Sequence, residues 1–185
     1  MKPKKQFIFI CIFFSFFQCK AELQFADLPI GGNIIAVDSL GKDVDLKKLA
    51  EPVLLVFFGY TFCPDFCPNT LSKIKLATSQ FSKEQKSKFK VVFISIDPKN
   101  DSSETATKYV NFYVENGIGY SFSEETLQKI LNQYAAYREK TKSGFDHSTY
   151  IYVLDKNRKT KKLIKSTDSN EVIAESILRL SSDPI

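Results

Sequence analysis

Two cysteines, Cys63 and Cys67, and a single histidine, His147, carry most of the chemistry available to this chain. The cysteines sit in Gly59-Tyr60-Thr61-Phe62-Cys63-Pro64-Asp65-Phe66-Cys67-Pro68. Their i, i+4 spacing puts both sulfurs on one face if the segment turns helically. Two soft, easily ionised sulfurs on one side can close a disulfide or hold a soft metal. A structural disulfide would gain little, because the loop it closes is only a few residues long. Cys67 falls at or just before a helix start, where the helix dipole favours a thiolate. His147 lies in Phe145-Asp146-His147-Ser148, and the neighbouring Asp146 could orient its ring. A lone histidine is by itself a weak signal, and it matters here only if the fold carries it to the cysteine loop. Two thiolates and one imidazole suit copper(I) or zinc, and cysteine with histidine also suits copper(II). Structural zinc takes four protein ligands, whereas catalytic zinc can use two Cys and one His plus water. Three ligands without a fourth point to a metal that moves or reacts. With one histidine in 185 residues, a His-rich metal site or His-pair catalysis within one chain is excluded.

The elements that must position these residues read as an α/β sheet. Val53–Phe58 is a continuous apolar run, as expected of a central strand buried on both faces. The cysteine loop follows it, at the strand end where ligands sit in open α/β sheets. Pro68 suits the first helical position, and Asn69–Phe81 reads as a helix. Lys90–Ile96 is a second buried strand, stopped at Asp97-Pro98. A helix is expected from Ser102-Ser103-Glu104 to about Asn116, closed by a left-handed cap at Gly117–Gly119. Ser123 starts another helix, to about Glu139. Residues 140–148 read as a polar loop, and Lys140–Asp146 as flexible enough to let His147 swing. Thr149–Leu154 is a third buried strand, Lys161–Lys165 its hairpin partner within a solvated Lys-rich stretch, and Asn170–Leu180 the last helix. Earlier, Asn33–Val37 has a strand pattern and Asp45–Ala50 reads as a polar loop or single turn. Strands alternating with helices place helices on both faces of a mixed sheet.

Residues 1–18 have the layout of a secretory signal: three lysines before an apolar stretch from Phe7 to Phe17. That stretch is short for a membrane span. Cys19, just past it, resembles the lipobox cysteine of bacterial lipoproteins, although Phe16 and Gln18 depart from the usual aliphatic and small residues. The expected organisation is a signal over 1–18, a tether over 19–32 and one domain over 33–182. The whole chain has a net charge of +5; without residues 1–18 it keeps 23 basic against 21 acidic residues, a net charge of +2. So small a charge gives no electrostatic case for nucleic acid.

These residues resemble the Sco/SenC family of copper proteins. Val56–Pro68 resembles that family's F-G-[FY]-T-x-C-P-D-x-C-P, Phe93–Pro98 its F-I-S-I-D-P segment, and Asp146-His147-Ser148 its D-H-S before a strand. Gly117–Glu124 is a weaker match. The resemblance implies a thioredoxin-like fold, with one copper held by Cys63, Cys67 and His147. It implies copper delivery to the copper A centre of cytochrome c oxidase or another copper acceptor, or reduction of that centre's cysteines. It also implies a membrane-anchored domain, here facing a bacterial periplasm. Phe62 stands where many members have histidine. Thioredoxin enzymes use a two-residue spacer between cysteines and a cis-proline opposite them. Here the spacer is three residues, and Asp146–Thr149 holds no proline.

The alternative is a thiol–disulfide oxidoreductase using Cys63 and Cys67 as the redox pair, with Cys63 attacking and Cys67 resolving or the reverse. A peroxidase-like reading has little support, since no separate activated cysteine is evident.

Overall fold

A computed structural model describes residues 25–182. The expected signal, Cys11 and Cys19 lie outside the described residues. In chain order the elements are β1 (Ile35–Val37), β2 (Asp43–Asp45), a 3-10 turn (Leu46–Lys48), β3 (Val53–Gly59), α1 (Phe66–Ala77), α2 (Lys83–Lys86), β4 (Phe89–Ser95), α3 (Ser103–Tyr113), β5 (Gly117–Tyr120), α4 (Glu124–Gln133), β6 (Arg138–Thr141), β7 (Gly144–His147), β8 (Ile151–Leu154), β9 (Thr160–Ile164) and α5 (Asn170–Ser182).

Five strands form the main sheet in the order β5-β4-β3-β8-β9. β3 runs parallel to β4 and antiparallel to β8. β4 and β5 are parallel, and β8 and β9 antiparallel. β3 is buried at every position, as its unbroken apolar run requires. Its residues alternate between two cores. Leu54, Val56 and Phe58 pack with Leu127, Ile130 and Leu131 of α4. Val53, Leu55 and Phe57 pack with Leu71 and Ile74 of α1, Val110 of α3 and Ile173 and Ile177 of α5. Each such side chain contributes about 1.5–3 kcal/mol through burial. This two-faced mixed sheet is the thioredoxin-like arrangement that the sequence implied.

Three expectations change. The polar loop at 140–148 is a β-hairpin, with β6 and β7 paired antiparallel and Arg138 opposite His147. The α4 helix stops at Gln133, well short of Glu139. Ala135 takes a left-handed φ of 48°, and the Ala136 and Ala135 amides donate back to the Leu131 and Asn132 carbonyls. That is the usual glycine-type helix stop built on alanine, so no glycine marks it in the sequence. Gly117 and Gly119, conversely, form no left-handed cap. They lie in β5, the parallel edge strand beside β4. A Cβ on Gly119 would collide with the Ala106 and Thr107 backbone, so glycine lets α3 lie directly on the strand.

The Lys-rich β8–β9 stretch is a hairpin, but it is not wholly solvated. Arg158 is buried, at 3% exposure, and donates to the Leu46, Leu49 and Glu51 carbonyls at 2.9, 2.6 and 2.9 Å. It staples the β2–β3 connection to the hairpin. The segment before β1 also lies against the domain. Leu28 N donates to the Thr160 carbonyl, and Asp27 pairs with Lys159 and Lys161. Because Thr160 pairs with Leu154, which pairs with Leu54, this contact sits at the start of β3, away from the cysteine loop.

Gly119→Ala is expected to lower stability by about 2 kcal/mol in urea unfolding, since backbone atoms face the added methyl and cannot rotate away.

Candidate metal centre

The cysteine loop folds over the carboxyl end of β3. Gly59, the last residue of that strand, has no room for a side chain: a Cβ there would lie 2.7 Å from Cys67 Sγ and 2.9 Å from Phe93. Cys63 N donates to the Tyr60 carbonyl at 3.1 Å, closing a tight turn. Cys67 is the second residue of α1, and its amide points at Cys63 Sγ, 3.4 Å away. The loop is anchored from below by Asp101. This buried carboxylate accepts from Thr61 N at 3.0 Å, Thr61 Oγ1 at 2.5 Å and Ser95 Oγ at 2.6 Å.

His147 arrives from the other side of the sheet's midline, as the last residue of β7 and four residues before β8. The antiparallel pairing of β3 with β8 brings the start of β8 to the end of β3. A parallel β8 would have left His147 at the opposite end. The ligand atoms of Cys63, Cys67 and His147 lie within 4.8 Å of one another. His147 is buried, and its Nδ1 is 2.9 Å from the Ser148 carbonyl. A carbonyl only accepts, so this contact puts a proton on Nδ1 and leaves Nε2 as the ring atom available to a metal. Asp146 does not orient the ring, as its sequence position suggested; it is exposed and accepts from the Tyr137 hydroxyl at 3.2 Å.

The two thiols are free and unlike. Cys63 is half-buried and its thiol is pulled down to about 5. The first cause is a hydrogen bond from Cys67, helped by the Cys67 and Asp65 amides and by His147. Cys67 is fully buried, and its thiol is pushed up by its bond to Cys63 and by desolvation. The thiolate that the helix start favours therefore resides on Cys63, not on Cys67. The sulfur in front of the helix takes the charge, while the sulfur inside it is too dry to ionise first.

A groove of about 710 Å³ opens beside the site. It is lined by Tyr60, Phe62 and Phe145 with Lys99, Lys140 and Lys142. Phe62 is 76% exposed there, turned to solvent. The family resemblance implied that these three residues meet, and the structure brings them together. Sequence reasoning missed Tyr60 and Asp101, which hold them. Tyr60 lay inside the quoted motif without a role, and Asp101 is 40 positions from Thr61 with no local signal of the contact.

A thioredoxin-like sheet with two thiols on the loop after its central strand and an imidazole beside them defines a class: a domain that holds a soft metal or exchanges disulfides at its strand ends. The SCO1/SenC family model matches residues 26–182, and the chain belongs to that family. It is 28% identical over 137 residues to an SCO2-like protein of Rickettsia prowazekii, covering 70% of this chain and 66% of that one. It is 31% identical over 130 residues to the mitochondrial SCO1 homolog 1 of Arabidopsis thaliana, covering 68% of this chain and 39% of the relative. The chain thus spans about two thirds or less of these two relatives. Among solved structures it resembles copper-bound ScoI of Bradyrhizobium japonicum, with a TM-score of 0.67 and 30% identity over 82% of this chain and 99% of that one. It also resembles copper-bound ScoI of Arabidopsis thaliana, with a TM-score of 0.71 and 27% identity over 81% and 96%.

Two outcomes follow. Alkylation of the metal-free protein by iodoacetamide should fall on Cys63, with its rate dropping by half as pH falls through about 5; peptide mapping against pH checks both points. Asp101→Ala leaves the buried Ser95 hydroxyl and the two half-buried Thr61 donors without their acceptor and should cost about 3 kcal/mol in urea unfolding.

Proposed function

We propose that this protein binds one copper ion as cargo through Cys63, Cys67 and His147, and hands it on by exchange of thiolate ligands. The observation that carries this reading is the convergence of two sulfurs and one imidazole within 4.8 Å at the end of a central strand. That donor set fits soft copper(I), and an ionised Cys63 supplies one donor without prior proton loss. Transfer proceeds as an acceptor's thiolates replace Cys63 and Cys67 one at a time, each step conserving the ion's coordination. Kinship with copper-bound ScoI structures supports the choice of copper over zinc. The acceptor is the copper A centre of cytochrome c oxidase, the destination implied by the family resemblance.

A second reading rests on the lowered Cys63 thiol. A thiolate at neutral pH can attack a partner's disulfide, forming a mixed disulfide. Cys67, after losing its proton, then attacks Cys63, and the partner leaves as a dithiol while Cys63 and Cys67 become a disulfide. The two electrons come from the Cys pair. This step does not need His147, which separates the readings.

For location, the proposal is an exported, membrane-attached domain facing the periplasm, with residues 1–18 as the signal, Cys19 as a lipid-bearing anchor, 19–32 as the connecting segment and 33–182 as the functional domain. The basic and apolar pattern of residues 1–18 supports it. Among the described residues no helix is long and apolar enough to cross a membrane.

Metal analysis of the full chain in detergent should give about one copper per chain, as a single three-donor set requires. Cys63→Ser, Cys67→Ser and His147→Ala should each weaken copper(I) binding at least about tenfold in competition with a chromophoric chelator. Unchanged affinity in these variants would remove the ligand assignment.

A further inference from the structure

We infer that Tyr60 is the positioning residue that sets where His147 stands relative to the two thiols. The inference rests on the three-ligand reading above. Tyr60 directly follows β3 and is buried, at 6% exposure. It touches both halves of the site at once. Its carbonyl accepts from Cys63 N and shapes the turn that presents the first sulfur. Its side chain reaches beneath the β6–β7 hairpin, with the hydroxyl also within reach of the Cys63 sulfur. There the hydroxyl accepts from Phe145 N at 3.4 Å. The ring meets Phe145 edge-on at 5.4 Å between centroids and His147 edge-on at 6.1 Å.

The hairpin is built to receive it. Gly144 has a φ of 144°, a backbone state that side chains disfavour, and a Cβ there would run into the Tyr60 hydroxyl. Glycine at 144 lets the β7 backbone cross directly over that hydroxyl. The opposite strand is fixed separately. The Arg138 guanidinium donates to the Ile96 carbonyl and the Glu124 carboxylate, and lies 5.9 Å over the Phe145 ring. Phe145 is thus gripped between Arg138 and Tyr60, and His147 follows it by two residues on the same strand, so both side chains face the same way. Tyr60 couples a residue three positions before Cys63 to the strand that delivers the imidazole.

This role differs from that of a packing residue such as Phe58, which fills the core beneath the sheet. A packing residue would affect stability and both thiols alike. A residue that positions the imidazole affects metal affinity chiefly through His147, and its contact with the Cys63 sulfur adds a smaller part. The full chain in nonionic detergent is titrated with copper(I) against a chromophoric chelator, as wild type, Tyr60→Leu, His147→Ala and the double variant. Tyr60→Leu is expected to weaken copper(I) binding about tenfold. In the His147→Ala background the same change is expected to weaken binding no more than about twofold, the part owed to the hydroxyl's contact with Cys63. An equal loss in both backgrounds would overturn the inference, because Tyr60 would then act through the thiolate turn. A second measurement needs no metal and no large truncation. Tyr60→Phe keeps the ring contacts and removes only the hydroxyl bond. Hydrogen exchange at the Phe145 amide is expected to quicken about fivefold, with the Val56 and Val92 amides of the central strands unchanged. Unchanged exchange at Phe145 would equally overturn it. Should wild type bind no copper, the titration refutes the proposed function, while the exchange measurement still decides the place of Tyr60.

Discussion

The antiparallel pairing of β3 with β8 is the constraint on which the site depends. It carries the end of one strand to the start of the other, so a loop after residue 59 meets a hairpin ending at residue 147. The pairing is secure because both strands are buried throughout, with Leu54 opposite Leu154 and Phe57 opposite Ile151. A one-residue slip would exchange the two cores that flank β3. The imidazole would move with it. The metal centre is therefore only as well placed as the hydrophobic register of two strands that contain none of its ligands.

Above that frame, the two sulfurs divide their roles by burial. Cys67 lies against the core formed by α1, α3 and α5, while Cys63 is only partly buried and touches both cores. The drier thiol keeps its proton and donates it to the wetter one, which carries the charge. An incoming metal or electrophile meets the ionised, accessible sulfur first. In the metal-free protein the buried sulfur joins only once its proton has left. The order in which the two sulfurs react is thus inherent in which one the helix encloses.

Much of this was legible in the sequence because it is written locally. An unbroken apolar run announces a doubly buried strand, and serines before α3 and α4 announce their starts through side-chain bonds to Thr105 and Thr126. The chemical residues were legible because few residue types do soft-metal chemistry, and this chain has almost none to spare. What could not be read depends on partners far along the chain. The helix stop at Ala135 is made by backbone geometry that alanine adopts only under tertiary pressure. The role of Gly119 is visible only once α3 lies on it. The polar residues 138–147 give no strand pattern, because the hairpin is held by Arg138 and Tyr60 rather than by an apolar face. Asp101 beneath Thr61 and Tyr60 beneath Gly144 are contacts between segments that local sequence does not connect.

The clamp between Asp27 and the Lys159–Lys161 strand gives the domain two poles. The entering chain is fastened where β3 begins, and the thiols emerge where β3 ends. Seven residues of extended chain separate them, about 20 Å. Anything that holds the segment before residue 25 near a surface therefore turns the reactive sulfurs outward, away from that surface. The length of a single strand becomes a standoff distance, and the two sulfurs sit like a lamp on a short post.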